Sequence, residues 1–133
     1  MKIEHIAIWV ENLDVMRDFY IEYFNAKSND LYHNPRKEFK SYFLTFDSGA
    51  RIELMHKPQL KKISNPHDAI LGYAHFAMSL GSAELVDELT ETLQDDGYII
   101  VGEPRTTGDG YYESVIEDPE GNRIELTLSL IHI

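Results

Sequence analysis

From residue 3 to residue 10 two kinds of position alternate, with Ile6, Ile8 and Val10 on one parity and His5, Ala7 and Trp9 on the other. Period two marks a strand with two unlike faces. The period then changes. Leu13, Met16, Tyr20, Tyr23 and Phe24 recur at helical spacing behind Asn12, which predicts an amphipathic helix with Asn12 as its N-cap. Strand candidates follow at about 29–34, 39–47 and 50–57. Between the last two, the stretch 46–50 places Gly49 where a tight hairpin favours positive φ.

The same order then returns. Segment 73–80 puts Ala74, Phe76, Met78 and Leu80 opposite Tyr73, His75, Ala77 and Ser79. Ser82 or Gly81 starts a helix whose stripe is Leu85, Val86, Leu89 and Leu93, and Gly97 suits its C-terminal stop. Strands are expected at about 98–103, 111–118 and 122–130, with Gly121 in the last hairpin. Each half therefore reads βαβββ. The expected fold is α+β, a single domain over 1–133 made of module 1 (about 1–57), a linker (about 58–72) and module 2 (about 73–130). The linker carries two prolines and a charge cluster without a clear period, and its Lys61 and Lys62 read as solvated residues.

The repeat extends to single residues. Arg51-Ile52-Glu53-Leu54 returns as Arg123-Ile124-Glu125-Leu126; the leading histidines His5 and His75 lie 70 residues apart and the glutamates 72, a difference the size of a loop insertion. In each strand one parity is strongly apolar and suits packing under a helix. His5, Glu53, His75 and Glu125 all stand on the other, mixed parity. One His or Glu on a strand is ordinarily a solvent-facing residue. Two of each at equivalent positions of a duplicated unit point instead to a shared metal site, and two such sheets side by side would curl into a trough holding all four.

Composition narrows the chemistry. With no cysteine, disulfides, zinc-thiolate sites and thiol nucleophiles are excluded, so a metal must be held by His, Asp or Glu. Twelve Lys plus Arg against 23 Asp plus Glu give a formal charge of −11, which repels nucleic acid and anionic lipid and leaves a small molecule or a protein as partner. The apolar run at the N-terminus is too short and too polar for a signal peptide or membrane span, so a cytoplasmic protein is expected. Serine triads, P-loops and dinucleotide fingerprints are absent. His33, His56, His67 and His132 read as surface residues, and the acidic turn at 117–122 lacks the spaced ligands of a calcium loop. Arg105, Asp109 and Tyr111 are compatible with a cavity wall or with an ordinary hairpin, and Trp9 with substrate packing or with filling.

The segments Glu4–Val10, Asp18–Ala26, Gly49–Met55, Gly72–Leu80 and Asp118–Thr127 carry a resemblance to the vicinal oxygen chelate superfamily, and most closely to its glyoxalase I (lactoylglutathione lyase) branch, over about residues 3–130. The resemblance implies paired βαβββ modules forming a metal-lined curved sheet, with His5, Glu53, His75 and Glu125 as ligands of one divalent metal ion. Two imidazoles and two carboxylates suit Ni²⁺, Co²⁺, Zn²⁺, Mn²⁺ or Fe²⁺ and do not choose among them. A homodimer is implied, with ligands pairing within a chain or across the dimer.

The implied activity is a lyase reaction that isomerises a 2-oxoaldehyde–thiol hemithioacetal to a 2-hydroxyacyl thioester. Glu125 is the implied base and Glu53 the second choice. Other activities of the superfamily, namely thiol transferase, dioxygenase and epimerase, and non-catalytic small-molecule binding or resistance stand as alternatives. The filled four-residue set weighs toward glyoxalase I. Against that branch, the positions that contact glutathione in its bacterial type as Arg and Asn are Trp9 and Lys57 here, which opens the site to another thiol or another vicinal-oxygen substrate.

Overall fold

The computed structural model describes residues 1–63, 65 and 68–129 and divides the chain into two compact units, Met1–Ser64 and Asn65–Ile133. In the first unit the elements are β1 (His5–Trp9), α1 (Leu13–Phe24), β2 (Lys27–Ser28), β3 (Tyr32–Asn34), β4 (Phe39–Thr45) and β5 (Arg51–His56). Their sheet runs β1-β5-β4, with β2 and β3 both on the outer edge of β4. β1 lies parallel to β5, and the other pairings are antiparallel.

The strand expected at 29–34 is therefore interrupted. Lys27 opposes Thr45 but Tyr32 opposes Ser41, a register slip of one residue. Asn29 sits at the slip, where its side-chain oxygen accepts the Phe43 amide at 2.8 Å and its own amide donates to the Phe43 carbonyl. A side chain that satisfies the backbone in place of the ladder allows the break.

The second unit repeats the plan with β6 (Phe76–Ser79), α2 (Ala83–Asp95), β7 (Ile100–Thr106), β8 (Tyr111–Glu117) and β9 (Arg123–Ser129), in the order β6-β9-β8-β7. Here too the first strand is parallel to the last. β6 begins one residue after His75, so that histidine precedes its strand rather than lying inside it.

Local chemistry explains the helix boundaries. Asn12 and Ser82 accept the Val15 and Leu85 amides at 3.1 and 3.2 Å, one orphan donor each. At the far end of α2 the Tyr98 amide reaches the Leu93 carbonyl and the Gly97 amide the Gln94 carbonyl, with Gly97 at φ +92°. That is a Schellman stop. Gly49 and Gly121 have matching positive φ of 82° and 87° in the two hairpins.

Each helix covers the apolar parity of its own sheet. Met16, Phe19, Tyr20 and Phe24 are buried in the first unit together with Tyr42, Leu44, Ile52 and Leu54. In the second, Val86 and Leu93 are buried together with Ile116, Ile124 and Leu126. The expected stripe on α2 needs one correction: Leu85 is exposed and Leu89 half-buried, whereas Thr90 is buried. Thr90 is tolerated there because its hydroxyl bonds the Val86 carbonyl and the Ser114 hydroxyl, leaving no polar atom unpaired.

Candidate functional site

In the first unit the β1–β5 register sets Ala7 opposite Glu53, which brings Glu53 diagonally beside His5 on the mixed face. His5 Nε2 lies 3.7 Å from Glu53 Oε1. The second unit does the same: Ala77 opposes Glu125, and His75 Nε2 lies 3.2 Å from Glu125 Oε1. The His–x–Ala spacing and the register are thus identical in the two units. Both pairs are reachable by solvent, with the histidine side chains 39% and 43% exposed.

Two ligands of a divalent ion bound at 2.0–2.2 Å with a right angle between them are about 3 Å apart. The two nitrogen-to-oxygen separations approach that value, and imidazole with carboxylate is a suitable donor set. Each pair thus offers two donors of a suitable kind, fewer than a bound ion needs. Among the described residues, no three His, Asp or Glu side chains within one unit form a metal-holding group.

The surroundings of the two histidines differ. His5 Nδ1 is 3.1 Å from Glu4 Oε1, and Arg51 grips both oxygens of Glu4, through Nε at 2.8 Å and through Nη2. The Arg51 hydrogen bond holds the Glu4 carboxyl down at about 2, with His5 adding to the same effect. A carboxylate that stays ionised can only accept, so His5 donates to it from Nδ1, which leaves Nε2 facing Glu53. The ring also meets Phe43 edge-on at 5.3 Å. At the matching place before His75 the chain has Ala74, which offers no such acceptor.

The carboxylates differ as well. Glu113 on β8 opposes Thr127 and shares the face of Glu125. Burial raises its carboxyl above the ordinary range, and the charge and hydrogen bond of Glu125 push the same way. In the first unit the matching position, opposite Met55, is Ser41. Glu113 is a neighbour of Glu125 that strand parity alone does not single out. Its signal is parity combined with the β8–β9 register.

The remaining sequence expectations resolve individually. His56 has the parity opposite to Glu53, as expected, but is not a plain surface residue: its Nδ1 lies 2.8 Å from the Val10 carbonyl. His33 is exposed. His67 and His132 lie outside the described residues. Lys62 pairs with Glu11 at 3.5 Å. Residues 107–110 form a hairpin turn braced by the Thr107 hydroxyl, which accepts the Tyr111 amide, and Arg105 opposes Glu113 across β7–β8. The acidic turn is structural, since the buried Asp118 carboxylate accepts the Glu120 and Asn122 amides.

Two units, each a strand, a helix and then further strands, with the glutamate of the last strand beside a histidine at or just before the start of the first, define a protein of the vicinal oxygen chelate class. The chain belongs to the Glyoxalase/Bleomycin resistance protein/Dioxygenase superfamily, whose family model matches residues 2–126. Solved structures with the same fold include a glyoxylase/bleomycin resistance protein/dioxygenase domain from Frankia sp. EAN1pec, with a TM-score of 0.80, 18% identity, and 97% of this chain and 98% of that one covered. The trypanothione-dependent glyoxalase I of Leishmania major gives a TM-score of 0.76 at 22% identity, covering 95% of this chain and 85% of that one. A V278E mutant of glyoxalase I from Zea mays gives 0.76 at 24% identity; the match covers 97% of this chain but only 47% of the maize chain, so this protein spans about half its length. A search of curated proteins finds no match. Among the described residues no helix is long and apolar enough to cross a membrane.

Proposed function

We propose that the two units act as one domain in a divalent-metal-dependent lyase, which isomerises the hemithioacetal of a 2-oxoaldehyde and a thiol to a 2-hydroxyacyl thioester. The observation that carries this reading is the duplicated His–Glu pair with the same register in both units. His5, Glu53, His75 and Glu125 are the proposed ligands of one ion, within a chain or across a dimer. When bound, such an ion lowers the barrier to proton removal next to a carbonyl by stabilising the negative charge that develops on the substrate oxygens.

The chain's own residues handle the proton. Glu125 takes it from the hemithioacetal carbon and returns it to the neighbouring carbon, while the hydroxyl proton passes to the other oxygen; atoms and charge balance with no co-reactant. Glu125 is favoured over Glu53 because a second carboxyl, Glu113, stands beside it, whereas Glu53 has Phe43 opposite it and Ser41 at the position matching Glu113. The Glu4–His5 bond orients one imidazole.

Turnover of methylglyoxal adducts of a panel of thiols at saturating Ni²⁺ tests the assignment. Glu125→Gln keeps the shape and one ligand oxygen but cannot accept the proton, and a rate loss of ~10²–10⁴-fold is expected, with a smaller loss for Glu53→Gln. A larger loss at Glu53 would reverse the assignment. No turnover of any adduct by the metal-loaded protein would remove the lyase reading.

A further inference from the structure

We infer that the helix-side face of the first sheet carries, beyond the start of α1, a binding site for an oligophosphate anion in which Lys40 is flanked by His33 and His56. The site lies on the sheet face opposite to His5 and Glu53, and nothing in it depends on the lyase reading.

Register builds the site. Lys40 on β4 opposes His33 on β3 and His56 on β5, and residues paired across strands share a face, so the three side chains stand in one line across the sheet. Neighbouring strands are about 4.8 Å apart, which spreads the line over roughly 10 Å. Lys40 has the parity of the buried Tyr42 and Leu44, the side that α1 covers. That cover ends at Tyr42, whose hydroxyl already meets Asp14 in the first turn of the helix. Beyond it the face opens into two cavities. One, of about 230 Å³, lies between Lys40, His56, Leu31 and the first turn of α1; the other, of about 370 Å³, lies between Lys40, His56, His33 and Glu38, with Pro35 and Pro58 as rigid walls. Lys40 and His56 border both.

Charge selects the occupant. The acids on the first cavity are engaged: Glu11 pairs with Lys62 at 3.5 Å, and Asp14 accepts the Tyr42 hydroxyl at 2.9 Å and faces Arg17 at 3.9 Å. The row itself is not. Lys40 and His33 have no hydrogen bond or ion pair among the described residues. His56 is oriented by the Val10 carbonyl, 2.8 Å from its Nδ1; a carbonyl only accepts, so Nδ1 donates and Nε2 is left for a further partner. Other cations of this unit stand elsewhere. Lys27, opposite Thr45, and Lys57, over the Trp9 ring, belong to the other face, and Arg36 and Lys37 share the turn before β4 without lining either cavity. Glu38, on the wall of the second cavity, opposes an anion there. A bound anion favours the charged form of an imidazole beside it, and histidine reaches that form in the physiological pH range. The ammonium of Lys40 then has an imidazolium on each side. A lone carboxylate meets one of these three positions, whereas a chain of linked phosphates carries anionic oxygens along its length and enough charge to outweigh Glu38.

The histidine side-chain nitrogen resonances report this place directly. The full chain, without added metal because oligophosphates chelate divalent ions, is titrated at about pH 6.5 with inorganic triphosphate, with ATP and with succinate. The expected result is a saturable shift of the His33 and His56 resonances with triphosphate at one shared Kd, and binding of succinate at least about tenfold weaker. Shifts with triphosphate but not ATP assign the site to a free oligophosphate; the same shifts with both assign it to the phosphate chain of a nucleotide as well. Lys40→Met should weaken triphosphate about tenfold, as removal of one charge-assisted contact requires, with Lys40→Arg close to the parent. Glu38→Gln should tighten it about twofold. Lys40 and Glu38 are both exposed, so the circular dichroism of these variants should stay that of the parent. An absence of saturable shift into the millimolar range would overturn the inference. Shifts of His5 and His75 in place of His33 and His56, equal affinity of the parent and Lys40→Met for triphosphate, or succinate binding as tightly as triphosphate would do so too.

Discussion

At position 4 the first unit has a glutamate where the second, at 74, has alanine, and this one difference separates two otherwise equivalent histidines. Glu4 stays ionised to a pH of about 2 because Arg51 holds it, so the Glu4–His5 bond persists through the whole neutral and mildly acidic range. Partners of this kind tune ligand basicity, and their loss typically costs 10–100-fold in metal affinity. Glu4→Gln is therefore expected to weaken Ni²⁺ binding by about tenfold in a calorimetric titration, with metal stoichiometry unchanged. Unaltered affinity would show that His5 needs no such support. The internal repeat combined with parity brought His5, Glu53, His75 and Glu125 to the fore, because both are read by counting residues along the chain. Glu113 stayed hidden for a physical reason: which residue of β8 faces Glu125 depends on how two strands are registered, and no periodicity within either strand encodes that.

Elements were legible where a local chemical signal marked them. The Asn12 and Ser82 caps, the Gly97 stop and the two hairpin glycines all stand where the pattern puts them. The split of the 29–34 strand and the burial of Thr90 in place of Leu85 depend on partners distant in sequence, Phe43 and Ser114, and so were not. Helix α1 is tied to its sheet by such a partner. The buried Tyr42 hydroxyl donates to Asp14 and accepts from Arg17, each at 2.9 Å, with the Arg17 guanidinium 4.7 Å from the ring centre. Tyr42→Phe should cost about 1–3 kcal/mol in urea unfolding, since two charged partners lose their bonds. Burial, and next the Asp14 bond, raise the Tyr42 hydroxyl above its ordinary value of 10.0. With the folded value above the unfolded one, this contribution is whole below pH 10 and declines as pH rises through the folded value. The parent should thus lose stability above pH 10 more steeply than Tyr42→Phe, and parallel profiles would contradict that. At Gly97 an added Cβ meets nothing within 4 Å, so Gly97→Ala isolates the backbone cost of a positive φ, about 1–2 kcal/mol by the same unfolding measurement.

On the scale of the whole molecule, duplication gives each unit a helix-covered sheet and one His–Glu pair, and neither pair alone supplies enough donors for a divalent ion. The units are therefore expected to pool their ligands, and the open sheet edges to be covered in a homodimer. Light scattering should then give a mass near twice the 15.4 kDa of one chain, and a value near one chain would refute the dimer. Pooling has a sharper consequence. Calorimetric titration of the metal-free protein with Ni²⁺ tests it most directly, comparing the parent with His5→Ala and His75→Ala. The expected result is one ion per chain and a large loss of affinity from either substitution alone, because both histidines serve the same ion. Two independent ions per chain, each lost with its own histidine while the other persists, or uptake indifferent to both substitutions, would contradict it.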